Sequence, residues 1–138
     1  MADFSTYLRN ALRDHVFRTG SFTKPSEIWI SLHTGNPGRT GANEVSPTDT
    51  GYVRIQLDPL DANWSTAGGD GTVTNADPIE FASPSGGTNW GSITWSGLWD
   101  AVTGGNFLAD AQLTQAKSVN QGDPGPIFPA GELDYTFD

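Results

Sequence analysis

Apolar and polar positions alternate with a period of two along most of this chain, and follow a helical period in one segment only. The helical segment comes first. Phe4, Tyr7, Leu8, Ala11, Leu12 and Val16 recur at intervals of three and four, so a helix within 1–20 should bury one stripe. Ser5 or Thr6 can cap its start and Gly20 can stop it. Beyond Pro25 the period changes. Ile28, Ile30 and Leu32 alternate with Trp29, Ser31 and His33, and Val53, Ile55 and Leu57 share one face of a second strand that Asp58-Pro59 ends. Shorter candidates follow at 72–74, 78–81, 92–99, 106–114, 117–119 and 133–137, divided by glycine-rich turns such as 68–71 and 85–87. Within 90–108 two strands joined at Gly104-Gly105 place Ile93, Trp95, Gly97 and Trp99 on one parity.

Many short strands, one helix and no internal repeat predict a mainly β fold: an antiparallel β-sandwich, jelly-roll-like, with one N-terminal amphipathic α-helix. The length of 138 residues suits a single domain over 1–138, with the helix in 1–20 and the sandwich over 26–138. Between the first two strands, 34–51 is a long loop with Val45 as an isolated apolar residue. Such a run is too polar to pack by itself and is expected to stay flexible, so that deleting 35–50 would leave the fold intact.

Composition narrows the chemistry. Without cysteine there is no disulfide, no thiolate metal site and no cysteine nucleophile. Arg9, Arg13 and Asp14 interrupt the apolar positions of 1–24, so no leader peptide is expected there, and no apolar run reaches the length of a membrane span. The net charge of −9, from 16 acids against 7 bases, argues against nucleic acid as a partner. Its distribution is uneven. Arg9, Arg13, Arg18 and Lys24 against Asp3 and Asp14 make 1–24 net +2, leaving three bases and fourteen acids, net −11, over 25–138. The basic helix is either a solvated surface, the preferred reading, or a face that docks on an acidic neighbour.

Catalytic candidates are few. His15 lies on the helix stripe and His33 at a strand end, and neither comes with a hydrolase or metalloprotease motif. Asp58, Asp61, Asn63 and Asp70 match no calcium loop and read as turn residues. Glu80, Asp100 and Asp110 could supply a carboxylate pair and the tryptophans could stack sugars, although solvated surface explains most scattered acids. No enzyme, cofactor or metal is therefore expected. Of the five tryptophans, Trp95 and Trp99 are expected inside with Ile93, which leaves Trp29 and Trp90 as candidate exposed anchors of a subunit contact.

The order of these segments carries a resemblance. Phe4-Ser5-Thr6-Tyr7-Leu8, Trp29-Ile30-Ser31-Leu32-His33-Thr34-Gly35-Asn36-Pro37, Gly51-Tyr52-Val53-Arg54, Trp90-Gly91-Ser92-Ile93-Thr94, Gly97-Leu98-Trp99-Asp100 and Pro129-Ala130-Gly131-Glu132-Leu133 follow one another as in a family of small tailed-bacteriophage virion proteins often labelled tail fibre proteins. The chain resembles that family from about residue 4 onward. The resemblance implies a non-enzymatic structural part of a virion, made in the host cytoplasm. A fibre shaft needs repeats or coiled coils, and this chain shows neither. A capsid decoration or cement protein is thus the favoured expectation, a homotrimer on the capsid surface bound to the major capsid protein or other virion proteins, with no nucleic acid and no membrane as partner. The alternative is a tail or head fibre subunit that binds host glycan. Phe17, Arg18, Trp29, Trp90 and Arg39 within the long loop are the candidate partner contacts.

Overall fold

Local signals set where most elements begin and end in the computed structural model, which describes residues 3–67 and 69–137. Strand β1 (Asp3–Phe4) leads into helix α1 (Thr6–Phe17), and Ser5 is the cap between them, its Oγ accepting from Leu8 N–H at 3.0 Å. The helix stops before Gly20. Arg18 is already extended, and its N–H still reaches the Asp14 carbonyl. The expected apolar stripe is only partly used, because Leu8 is buried and Leu12 packs beside it while Val16 points to solvent. Phe4 belongs to β1 and stacks on Phe137 at 4.8 Å.

The remaining strands are β2 (Trp29–His33), β3 (Ile55–Gln56), β4 (Trp64–Ala67), β5 (Thr72–Asn75), β6 (Ile79–Glu80), β7 (Gly91–Trp99), β8 (Phe107–Val119), β9 (Ile127–Phe128) and β10 (Asp134–Thr136). They pair antiparallel in three sheets, ordered β1-β8-β7-β2-β3, β10-β5-β4 and β6-β9. The protein is mainly β, antiparallel, with one helix near its N-terminus. A core joins the sheets: Ile30, Leu32, Ile93, Leu98 and Ala111 from the large sheet meet Tyr135, Leu133, Phe128 and Phe81. The Tyr135 hydroxyl bonds Ser96 Oγ at 2.5 Å across that core, and burial pushes its pKa up, so the phenol stays protonated.

Two facings differ from those the alternation predicts. Between Ile93 and Trp95 the β7–β8 ladder slips, moving from Ile93↔Lys117 to Trp95↔Gln112. The bulge turns the strand over. Ile93, Ser96 and Leu98 therefore face the main core, whereas Trp95, Gly97 and Trp99 face the other side of the sheet. Trp95 and Trp99 are thus not core partners of Ile93. Before β3, Tyr52 and Arg54 are buried and Val53 is 57% exposed, the reverse of the expected face. The reason is that only Ile55 and Gln56 pair with β2, so residues 51–54 lie outside the ladder and answer to other contacts.

The loop 34–51 is packed. Pro37, Val45 and Thr50 are buried, Val45 N–H bonds the Leu32 carbonyl, and Thr34 N–H bonds the Asn43 carbonyl. Backbone hydrogen bonds and two apolar anchors supply what its composition lacks. It also ties down the helix start, where Thr6 N–H donates to the Arg39 carbonyl at 3.1 Å.

Candidate functional site

The sheet face opposite the main core carries a connected cluster of polar side chains. Pairing of Ser31 with Gly97 and of His33 with Trp95 brings β2 and β7 side chains onto this face, and Trp99 pairs with Phe107 of β8 beside them. Trp99 Nε1–H donates to Ser31 Oγ at 2.9 Å, and Ser31 Oγ lies 2.7 Å from His33 Nε2. His33 Nδ1 lies 2.7 Å from the Ala42 carbonyl. A carbonyl only accepts, so Nδ1 carries the proton and Nε2 accepts from the serine hydroxyl. The relay crosses from sheet to loop with every member satisfied.

Gly97 makes room for it. A Cβ there would stand 2.6 Å from Ser31 Oγ and 2.8 Å from both His33 Nε2 and Phe107. Gly97→Ala should therefore cost about 1–3 kcal/mol through forced displacement of the relay, measured by urea denaturation; a loss within about 0.5 kcal/mol would show that the relay yields freely. Gly41 closes the loop over the same site: its φ is +81°, and a Cβ would meet the Trp99 ring at 2.4 Å.

Arg54 anchors the rim. Its Nε and Nη2 donate to the two Glu44 carboxylate oxygens at 2.7 and 2.8 Å, and Nη1 donates to the carbonyls of Ala101 and Gly104 at 2.8 and 2.9 Å. The guanidinium carbon sits 3.9 Å from the Trp99 ring centroid. Tyr52 completes the set, donating to Glu44 at 3.0 Å and accepting from Leu32 N–H at 2.9 Å. Burial, with the Glu44 charge second, raises its pKa, so the hydroxyl keeps the proton that it donates. Loop, strand and hairpin turn thus meet at one side chain.

A serine 2.7 Å from a histidine is the core of a nucleophilic dyad, but the surroundings assign this pair another role. Ser31 and His33 have no exposed surface, the serine oxygen already accepts from an indole, and the histidine is oriented by a backbone carbonyl instead of a carboxylate. The pair works as a strut. Burial, the largest influence, lowers the His33 pKa below its ordinary 6.5. The unfolded chain takes up this proton near pH 6.5 while the folded chain resists it, so the stabilisation is complete above 6.5 and is lost as pH falls below. Denaturation midpoints should fall between about pH 7 and 5.5, at up to about 1.4 kcal/mol per pH unit, and His33→Asn should flatten that dependence. An unchanged slope in the variant would assign the proton elsewhere.

The residues expected to contact partners are scattered. Phe17 is 81% exposed at the end of α1, and Arg18 beside it is exposed with Asp14 at 3.8 Å. Trp29 is half-buried on β2 with its indole N–H on Glu27 at 3.0 Å. Arg39 is exposed on the packed loop. Trp90 is 4% exposed and donates to the Thr50 carbonyl at 2.8 Å, so it is a core residue of this fold and not an exposed anchor. His15 is exposed and accepts from Phe22 N–H at 3.2 Å, fixing the return from the helix. Asp100 spends both carboxylate oxygens on Asn106, Glu80 is exposed on β6, and Asp110 is buried on β8. Among the described residues no group of His, Asp and Glu is arranged to hold a metal ion, and no helix is long and apolar enough to cross a membrane. Glu44, Tyr52, Arg54 and Gly97 were not singled out as site residues from the sequence; an arginine among strand apolar residues and a glycine in mid-strand were the signals for two of them.

The comparisons with known proteins bear on the whole chain and not on this cluster alone. None of the curated proteins compared with the chain matches it. A family model does match, over residues 3–136, which takes in every strand and the helix. The chain belongs to the family described as Podophage GP4 fiber I protein gp80, a family of phage fibre proteins of the virion.

Proposed function

We propose that this protein is a non-enzymatic structural subunit of a phage fibre, forming a joint or a terminal piece instead of the shaft. The observation that carries the reading is the family match over nearly the full length. Two features support it further. The polar groups most suggestive of catalysis are consumed in the strut beneath the loop, and among the described residues the one helix is 12 residues long, too short for the coiled-coil segments of a shaft. Its work would then be association, with binding free energy holding neighbouring virion proteins together.

Compactness also supports a second reading, a trimeric decoration protein bound to the major capsid protein on the head surface. Cryo-electron microscopy of the virion separates the two. Density matching this fold on the fibres is the expected result; density repeated over the head shell would replace the fibre reading with decoration, and absence of the chain from purified particles would overturn both.

A further inference from the structure

Residues 34–43 form a self-braced loop over the polar relay. Its base is pinched shut where Thr34 N–H donates to the Asn43 carbonyl at 3.0 Å, beside the single bridge that joins His33 to Glu44. Within it Gly41 and Ala42 N–H both donate to the Pro37 carbonyl, Gly38 N–H donates to Asn36 Oδ1, and Asn43 Nδ2 donates to the Asn36 carbonyl. A loop so bonded to itself moves as one piece. Its tip meets the body through the Ala42 carbonyl, 2.7 Å from His33 Nδ1, the Arg39 carbonyl, 3.1 Å from Thr6 N–H, and the seat of Gly41 on the Trp99 and Phe107 rings. Below the base the chain is fixed, since Val45 N–H bonds the Leu32 carbonyl and Arg54 and Tyr52 hold Glu44. Pro37 alone among 34–43 is buried, and the main core lies on the other face of the sheet. Lifting the tip therefore uncovers little of the apolar area that holds the fold.

His33 lies beneath this tip, and its hydrogen bonds leave no place for a second proton. Nε2 accepts from the Ser31 hydroxyl, which itself accepts from Trp99 Nε1–H. A proton on Nε2 turns that acceptor into a donor, so the serine oxygen would have to accept from both neighbours while its own hydrogen loses its acceptor. The new charge would also be enclosed. Burial dominates and keeps the ring neutral, while Glu44 at the loop base favours the proton and Arg54 opposes it. Arg39 on the tip and Asp110, the register partner of Gly97 on β8, are the other charged groups on adjoining elements, and β7 brings none. Strands β2 and β7 lie below the imidazole and the Phe107 ring stands beside it at 6.1 Å, so the ring reaches water by way of the tip. We propose that residues 34–43 are an acid-released lid: a proton taken up by His33 lifts the tip and bares the Trp99 and Phe107 rings while the sheets stay folded. The closed form resists the proton and the open form takes it near pH 6.5, so the lid is shut above that pH and opens more often as pH falls below it. An aromatic surface is thus withheld at neutral pH and presented in acid.

Hydrogen exchange of the full chain, followed by NMR, tests the lid at two reporters. Thr6 N–H is bonded to the tip, and Trp99 Nε1–H lies under it. Between about pH 7 and 5.5 their protection, taken relative to free groups at the same pH, should fall up to about eightfold. Urea below the unfolding transition should leave it unchanged, because a local opening exposes little surface. Trp90 Nε1–H, bonded to the Thr50 carbonyl in the main core, should stay more protected and should respond to urea. His33→Asn, which cannot take up the proton, should abolish the acid response, and His15→Gln on the exposed side of α1 should keep it. Protection that falls together at Thr6, Trp99 and Trp90 with one shared urea dependence would make the opening global and overturn the lid, as would protection that ignores pH. Should His33→Asn fail to fold, the imidazole resonances of the wild type decide. Protonation of His33 in step with the loss of protection at Thr6 and Trp99 supports the lid; a protonated His33 beneath a tip that stays shut overturns it.

Discussion

Arg54→Met should destabilise the fold by about 3–5 kcal/mol, one of the two largest effects expected of a single substitution in this chain. Arg54 is 7% exposed, and its loss leaves the Glu44 carboxylate, itself only about a fifth exposed, without its bidentate partner. The Ala101 and Gly104 carbonyls lose their donor at the same time. Urea denaturation followed by tryptophan fluorescence measures the loss. Combining Arg54→Met with Glu44→Gln should recover part of it, because an amide removes the isolated charge and still accepts from Tyr52. A loss below about 1 kcal/mol would mean that the pair behaves as an exposed one.

Trp99→Ala is expected to cost a similar amount, about 3–5 kcal/mol, for a different reason. The indole fills the space between Arg54, Gly41 and Phe107, with the Phe107 ring centroid 5.0 Å away, and truncation leaves a cavity among those three residues. Trp99→Phe isolates the polar part. It keeps most of the volume but leaves Ser31 without the indole donor, which should cost about 1 kcal/mol in lost hydrogen bonding, beyond the cost of the smaller ring. Equal losses for the two variants would show that the hydrogen bond and not the packing dominates. Because Trp99 and Arg54 touch, their effects should fail to add by about 0.5–3 kcal/mol in a double-mutant cycle. The loop 34–51 belongs to this unit, so deleting 35–50 would uncover Trp99 and remove Glu44. That deletion is therefore expected to destabilise the fold and not to leave it intact.

Short-range patterns were readable from the residues alone. Ser5 as a cap, β2 from its alternation, and the strands near 72–74, 79–80 and 134–136 depend on neighbours a few positions away, which sequence displays directly. Strands β1, β4 and β9 were missed, β1 because the spacing of Phe4 also fits the helix stripe. The polar cluster was illegible for another reason. The bonds that close it join residues far apart in the chain, Arg54 to Ala101 across 47 positions and Trp99 to Ser31 across 68, and no local pattern encodes such a meeting.

By itself, then, the sequence determined a mainly β antiparallel protein with one N-terminal helix and a likeness to phage fibre proteins, because alternation, turn residues and ordered motifs are written locally. Only the tertiary structure decided which way those strands face. One slip in the β7–β8 ladder sends Trp99 away from Ile93, and the early end of pairing before β3 buries Arg54 and exposes Val53. Facing is set by the partner across the sheet and by the loop that covers it. A period of two leaves it open, since a slip of the ladder by an odd number of residues exchanges the two sides of a strand.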